Sequence, residues 1–327
     1  MVLGGREVEA LLGHDACIAA VEAAFRLHAA HRSLPPASLG LHARAGTFHV
    51  KAAGLEVDGR LYVAAKTNAN FPGNPERAGL PTIQGVIVLF DGEDGVPLAV
   101  MDSIVVTSRR TAAATAVAAK YLARPDANTM TVYGCGEQGR VHLEMLSRVL
   151  PIQRAFVFDI VPARARALAD RSRRDLGLDV VATEDPAAAL AESQVCVTCT
   201  TSSQPFLRRG QIASGTFVAA VGADNPAKQE LDPAILAENA VVVDLLESCA
   251  ANGELRHAIA AGVMTADDVR ADLTQIVSAA KVGRRTADEI IVFDSTGIAL
   301  EDVAAAVVVY REATRRDCGV RIPLAPS

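Results

Sequence analysis

The sequence predicts an α/β chain built on a doubly wound parallel sheet, with a second, α+β domain ahead of it. Three observations predict it. The β-branched run Thr131-Val-Tyr133 feeds directly into Gly134-Cys-Gly-Glu-Gln-Gly139 and then into a helical pattern through Leu150. Asp159 closes the next apolar run, 20 residues after Gly139. From residue 129 onward strand and helix patterns alternate, whereas residues 39–106 read as strands parted by Gly and Asp turns.

Taken in order, residues up to about 30 carry helical spacing (Val8, Leu11, Leu12, Ile18, Val21, Phe25), and Pro35-Pro36 stops that pattern. Strands follow at Thr47–Lys51, Leu61–Lys66, Gln84–Phe90 and Pro97–Met101, separated by Asp58-Gly59, Asp91-Gly92 and Asp94-Gly95. An alanine-rich helix runs from about Thr107 to Leu122. Further strands are expected at 129–134, 154–159, 179–182, 194–199, 216–222, 240–244 and 290–293. After Asp294-Ser-Thr-Gly297 a helix from Ala299 to Ala313 closes the fold and is expected to return to the first domain. The expected division is 1–123 with 298–327, and 124–297 as the Rossmann domain.

The glycine run has a physical reading. Gly134 permits the tight turn, Gly136 lets the backbone approach a pyrophosphate, and Gly139 lets the helix pack closely on the strand. Amide groups at the helix start then face the phosphates. Asp159 is placed to accept hydrogen bonds from both ribose hydroxyls and to repel a 2′-phosphate, which favours NAD over NADP. Arg164 and Arg166 follow and can in principle hold that phosphate, which keeps NADP as a second cofactor; the plainer reading is solvated helix surface.

Composition narrows the classes. At 327 residues and 50% hydrophobic content the chain can bury one large core or two ordinary ones. A net charge of −6 argues against a nucleic-acid partner. No apolar run approaches the roughly 20 residues of a membrane span, and the N-terminal residues lack the build of a signal peptide. A cytoplasmic protein with no membrane partner is expected. Cys196 and Cys199 form C-x-x-C within an apolar β run, where residues three apart face opposite ways, so no metal site is expected.

Four places offer ionisable chemistry. Lys66 ends an apolar strand, either reaching for water or aimed at a ligand. Arg110 begins the long helix, as a carboxylate clamp or as a surface arginine. Asp224, in Ala219-Ala-Val-Gly-Ala-Asp224, lies just past the carboxyl end of a strand, the edge at which open α/β sheets bind ligands. His49 and Lys51 alternate on one strand, so they share a face that either lines a pocket or meets water.

Together these pieces resemble the ornithine cyclodeaminase/mu-crystallin family over nearly the whole chain. The carrying segments are Gln84-Gly-Val-Ile-Val-Leu-Phe-Asp91, Pro97-Leu-Ala-Val-Met-Asp102, Arg110-Thr-Ala-Ala-Ala-Thr115 and its continuation to Ala123, and Gly134-Cys-Gly-Glu-Gln138. Val221-Gly-Ala-Asp-Asn-Pro-Ala-Lys-Gln-Glu-Leu-Asp232, Ser295-Thr-Gly297 and Asp302-Val-Ala-Ala-Ala306 complete them. The resemblance implies an NAD(P)-dependent enzyme acting on amino acids or their imines, and a homodimer formed through the first domain. Lys66 then contacts the substrate carboxylate and polarises the reacting centre, Arg110 binds that carboxylate, and Asp224 shuttles the proton. Thr82, Thr111, Glu137, Gln138, Thr200, Gly222, Ser295 and Gly297 join the three glycines and Asp159 as expected cofactor contacts.

The pattern departs where a side chain is read. Counting from Gly46, the family's second carboxylate-binding arginine falls on Ser38, and the glutamate that receives ornithine's side-chain ammonium falls on His49. An ammonium buried without its anion costs several kcal/mol, and Lys51 adds positive charge on the same face. The leading expectation is therefore an amino-acid dehydrogenase or cyclic-imine reductase whose substrate lacks a side-chain cation, and can carry an extra anionic group. The alternatives are a redox-neutral ornithine or lysine cyclodeaminase and, from another class, a non-catalytic nucleotide or small-ligand binder.

Overall fold

The computed structural model describes residues 1–323. The chain forms two compact units, Met1–Arg110 with the segment from Ile298 onward, and Thr111–Gly297. The division falls inside the helix Ser103–Leu122 rather than at its end near residue 123. Its first turns belong to the first unit because Arg109 donates to the carbonyls of Glu9 and Leu12, and Arg110 pairs with Glu301.

In the first unit β1 (Val2–Leu3), β2 (Ser33–Ala43), β3 (Gly46–Val57), β4 (Arg60–Asn70), β5 (Ile83–Asp91) and β6 (Pro97–Asp102) form one sheet in the order β1-β6-β5-β4-β3-β2. Neighbours are antiparallel except β1 and β6. Register places Ala53 opposite Ala64 and Leu55 opposite Tyr62, and Ile87 opposite Met101. That alternation gives the sheet one apolar face, buried under the helix Ala299–Arg315, which also packs on the helix His14–Ala29.

Two features differ from expectation. The N-terminal helical pattern is broken at Leu12-Gly13 into Gly5–Leu11 and His14–Ala29. Pro35-Pro36 does not end regular structure but sits within β2, with a register shift between Leu34 and Ala37. β2 is an edge strand, where a missing N–H costs no ladder bond.

The second unit holds β7 (Thr129–Tyr133), β8 (Arg154–Phe158), β9 (Asp179–Ala182), β10 (Val195–Thr198), β11 (Ser203–Leu207), β12 (Phe217–Ala220), β13 (Gln229–Leu231), β14 (Ala240–Val243), β15 (Ala271–Asp272) and β16 (Ile291–Asp294). Eight of these make a wholly parallel sheet in the order β15-β14-β16-β12-β10-β7-β8-β9. The chain leaves β7 first toward β8 and β9, then returns to its other side with β10 and β12. This reversal makes the crevice at the carboxyl ends of β7 and β10 the ligand edge. All seven strands read from sequence are present; the small β11–β13 ribbon and β15 are additions. No helix among the described residues is long and apolar enough to cross a membrane.

Candidate functional site

In the second unit the turn after β7 is built by glycine. Gly134 has φ of +101°, which L side chains rarely adopt, and a Cβ there would lie 2.8 Å from the Cys199 carbonyl oxygen. A Cβ on Gly139 would lie 2.0 Å from the Gly134 oxygen, so only glycine allows the helix Glu137–Val149 to sit this close to the strand. A Cβ on Gly136 would meet no atom within 4 Å. The space above it is open, and no side chain caps the helix start. An uncapped helix N-terminus beneath open space fits a pyrophosphate.

Asp159 stands at the end of β8. Its carboxylate accepts the N–H groups of Cys135 and Val161, each at 2.9 Å, which orients it beside the glycine turn with lone pairs left for hydroxyl donors. Arg164 and Arg166 are exposed. Ile160, immediately after Asp159, is 89% exposed, an apolar surface that a flat aromatic ring can cover. Within the helix, Glu137 turns its carboxylate to Arg140, which also pairs with Glu144. Gln138 gives its carbonyl to the His142 ring at 2.8 Å. That ring also meets Thr115 Oγ1 at 3.0 Å, and burial lowers its pKa to about 4, leaving it neutral.

The remaining strand ends are fixed by acids that sequence reasoning did not single out. Glu230, fully buried, accepts the Thr200 N–H at 2.6 Å and the Gly222 N–H at 2.9 Å, bracing the ends of β10 and β12. Glu254 accepts the Glu230 N–H at 2.7 Å, and Asp294 accepts the N–H groups of Glu254 and Leu255. Asp244 accepts the Ser295 hydroxyl at 3.0 Å and the Gly297 N–H at 2.6 Å. Ser295 and Gly297 therefore direct these donors inward to Asp244, where cofactor contacts were expected. The signal was available: Asp244 and Asp294, like Asp159, each close an apolar run.

Burial, and then the neighbouring Asp294 charge, push Glu254 up to about 9, and burial pushes Asp294 up to about 7. A raised carboxyl binds its proton in the folded state, so its contribution to stability is complete below the ordinary value of 4.5 and is lost as pH rises through about 9. Glu254→Gln keeps the acceptor for Glu230 and removes the titration. Its unfolding midpoint is expected to decline less than wild type between pH 5 and 9. Equal slopes in the two thermal-melt series would show that Glu254 is already ionised in the folded chain.

The first unit holds a buried charge cluster. Lys66 Nζ lies 2.7 Å from Asp302 Oδ2 and 2.8 Å from Oδ1, while Arg110 lies 2.9 Å from Asp302 Oδ1 and 2.7 Å from Glu301 Oε2. All four side chains are at most 4% exposed. Glu301 and Asp302 occupy the first turn of the helix Ala299–Arg315, where the helix dipole favours anions. Lys51 pairs in register with Lys66, and His49 with Asn68, so all four share the sheet face that is apolar further along. Burial, then Arg110, lowers Lys66 to about 7; Asp302 opposes this and Lys51 adds to it. Ser38 is opposite Lys51 and exposed.

The structure thus brings Lys66 and Arg110 together, with Lys51 and His49 beside them on β3, and adds Asp302 and Glu301, which sequence reasoning quoted or passed over without a role. Asp224 belongs to the second unit, in the loop after β12, its carboxylate 2.8 Å from Lys228 Nζ and 2.9 Å from Asn225 Nδ2. Thr82 precedes β5 and gives its carbonyl to the Phe71 N–H. Thr111 opens the second unit, its carbonyl 3.4 Å from Thr115 Oγ1. All six cysteines are free thiols. Among the described residues no group of three or more His, Cys, Asp or Glu is arranged to hold a metal.

These features define a protein with a Rossmann dinucleotide-binding unit and a separate α+β unit carrying a buried cation pair. The chain belongs to the ornithine cyclodeaminase/mu-crystallin family, whose model matches residues 1–317. It is 38% identical over 322 residues, 98% of each chain, to the alanine dehydrogenase of Archaeoglobus fulgidus. Among solved structures, an archaeal alanine dehydrogenase dimer with bound NAD superposes with a TM-score of 0.94 at 37% identity, covering 99% of each chain. The Δ1-pyrroline-2-carboxylate reductase of Thermococcus litoralis, in complex with NADH and L-proline, also gives 0.94, at 30% identity over 98% of this chain and all of the other.

Proposed function

We propose that this protein is an NAD-dependent amino-acid dehydrogenase or ketimine reductase, interconverting an α-amino acid with its imine or 2-oxo acid. The observation that carries the reading is the burial of two cations, Lys66 and Arg110, around the single carboxylate of Asp302, with Lys51 in register beside Lys66 on the same sheet face. Arg110 and Lys66 hold that carboxylate in this reading. Asp224 carries the proton to or from the substrate nitrogen. The turn Gly134–Gly139 and the start of the following helix hold the pyrophosphate, and Asp159 accepts the ribose hydroxyls. NAD(H), when bound, supplies or takes the hydride.

A cyclodeaminase acting on ornithine or lysine needs a place for a side-chain ammonium. His49 and Lys51, on the face that carries Lys66, offer no anion for it. A pure binder has no use for a proton carrier such as Asp224. In this reading the protein works as a homodimer. The edge strand β2 supports this, since Leu34, Leu39 and Leu41 are 46–56% exposed beside an unpaired strand edge. The six free thiols suit a cytoplasmic setting.

The test follows reduced nicotinamide absorbance with NADH, and in parallel NADPH, against pyruvate plus ammonia and against Δ1-pyrroline-2-carboxylate. Steady NADH consumption, faster than with NADPH, is the expected result. Ammonia release from ornithine with only catalytic NAD⁺, and no net NADH consumption, would overturn the reading in favour of cyclodeamination.

A further inference from the structure

We propose that Asp302 is a positioning residue, a single buried carboxylate that clamps the Lys66 ammonium and the Arg110 guanidinium together and keeps Lys66 charged for the substrate carboxylate. The inference deepens the proposed function and rests on it for the identity of the ligand, not for the clamp itself. Both Asp302 oxygens lie within 2.8 Å of Lys66 Nζ, Oδ1 accepting its hydrogen bond, and Oδ1 also lies 2.9 Å from Arg110 Nε as an ion pair. Lys66 and Asp302 are 236 residues apart in sequence, so the contact ties the helix Ala299–Arg315 to β4.

The neighbourhood explains why a clamp is needed. The charged groups around the pair are Lys51 from β3, Arg110 from the helix Ser103–Leu122, and Glu301 from the helix of Asp302 itself. The helix His14–Ala29 brings the Cys17 thiol near Glu301 and Arg110, and burial pushes that thiol up to about 12 and so keeps it neutral. Two cations thus crowd Lys66, and Glu301 is committed to Arg110. Burial and these cations already bring Lys66 to about 7. Asp302 is the carboxylate bonded to Lys66, and it stays ionised because Lys66 and Arg110 outweigh the effect of its own burial. Without it, Lys66 would surrender its proton at lower pH, and the carboxylate-binding charge would fall by one near neutrality.

Two readouts test this on the full-length protein. Trace acetylation with acetic anhydride from pH 5 to 10, quantified at Lys66 by mass spectrometry, reports the lysine's own titration and needs no turnover. Asp302→Asn is expected to move its midpoint toward acid by about 1–3 pH units. With pyruvate plus ammonia or Δ1-pyrroline-2-carboxylate, the alkaline limb of kcat/KM is expected to shift with it, so that the loss is tenfold or more at about pH 8 and shrinks on acidification. The loss falls mainly on KM. A midpoint equal to wild type, or a loss uniform across pH, would overturn the proposal and leave Asp302 as packing alone. If Asp302→Asn does not fold, Asp302→Glu, which displaces the carboxylate but keeps its charge, is expected to shift the same midpoint, and an unmoved midpoint there overturns the proposal. Absence of nicotinamide-linked turnover in the wild type would count against the proposed function only, because the acetylation midpoints still decide the clamp.

Discussion

Gly139→Ala is expected to weaken NAD binding by about 100-fold, the scale on which a displacement near 1 Å costs an organised site, and to destabilise the second unit by about 1–3 kcal/mol. The added Cβ would sit 2.0 Å from the Gly134 carbonyl oxygen, which is backbone and cannot rotate away. Nor can that carbonyl retreat easily: the Gly134 N–H is bonded to Phe158 O at 2.9 Å, and the strand before it is paired on both sides. The helix Glu137–Val149 must therefore move off the strand, taking its N-terminal amide groups with it. Gly136→Ala separates binding from stability, because its Cβ would meet no protein atom within 4 Å. That variant is expected to melt like wild type and still lose NAD affinity, because the methyl occupies the space left for the phosphates. Thermal melts and calorimetric titration with NAD check both; a Gly139→Ala protein that binds NAD with wild-type affinity would contradict the assigned turn geometry.

How much of this was legible in the sequence depends on how local the signal is. The parallel strands were readable because each is a short apolar run bounded by turn residues. The glycine turn was readable because steric demands on glycine are written at fixed spacing. The break at Leu12-Gly13 and the passage of β2 through Pro35-Pro36 were not readable, since an edge strand tolerates proline only by virtue of where the sheet ends. The same limit applies to the site. Lys66 and Arg110 stood out as cations at the ends of the predicted strand and helix, although Lys66 lies inside β4 and Arg110 inside the helix Ser103–Leu122. Their counter-ions did not, because Asp302 reaches Lys66 across 236 residues and nothing local marks it as buried rather than solvated. Glu230 was likewise hidden: its value lies in two backbone N–H groups at residues 200 and 222, and a carboxylate on the short strand β13 gives no hint of them. Ser295 and Gly297 each give a donor to the buried Asp244, a contact the sequence did not foretell.

Asp224→Asn is expected to lower kcat by about 10²–10⁴-fold, the usual contribution of a positioned proton carrier, with NAD affinity unchanged. The substitution is nearly isosteric. Asparagine retains an oxygen for Lys228 Nζ and Asn225 Nδ2, which now lie 2.8 and 2.9 Å from the carboxylate, so the loop after β12 keeps its anchor. What disappears is the ability to take and return a proton. Pyrophosphate and ribose binding are proposed for the glycine turn and Asp159, at the ends of β7 and β8, whereas Asp224 follows β12, so the NAD Kd is expected to hold. The half-exposed carboxylate is also within reach of water, as a group that must exchange its proton each cycle requires. The pattern of loss separates this role from that of Lys66 and Arg110, whose replacement removes carboxylate binding and raises KM. A measured kcat near wild type together with a weakened NAD Kd would move Asp224 from proton transfer to cofactor binding, and Lys66, lowered to about 7, would then be the candidate proton carrier.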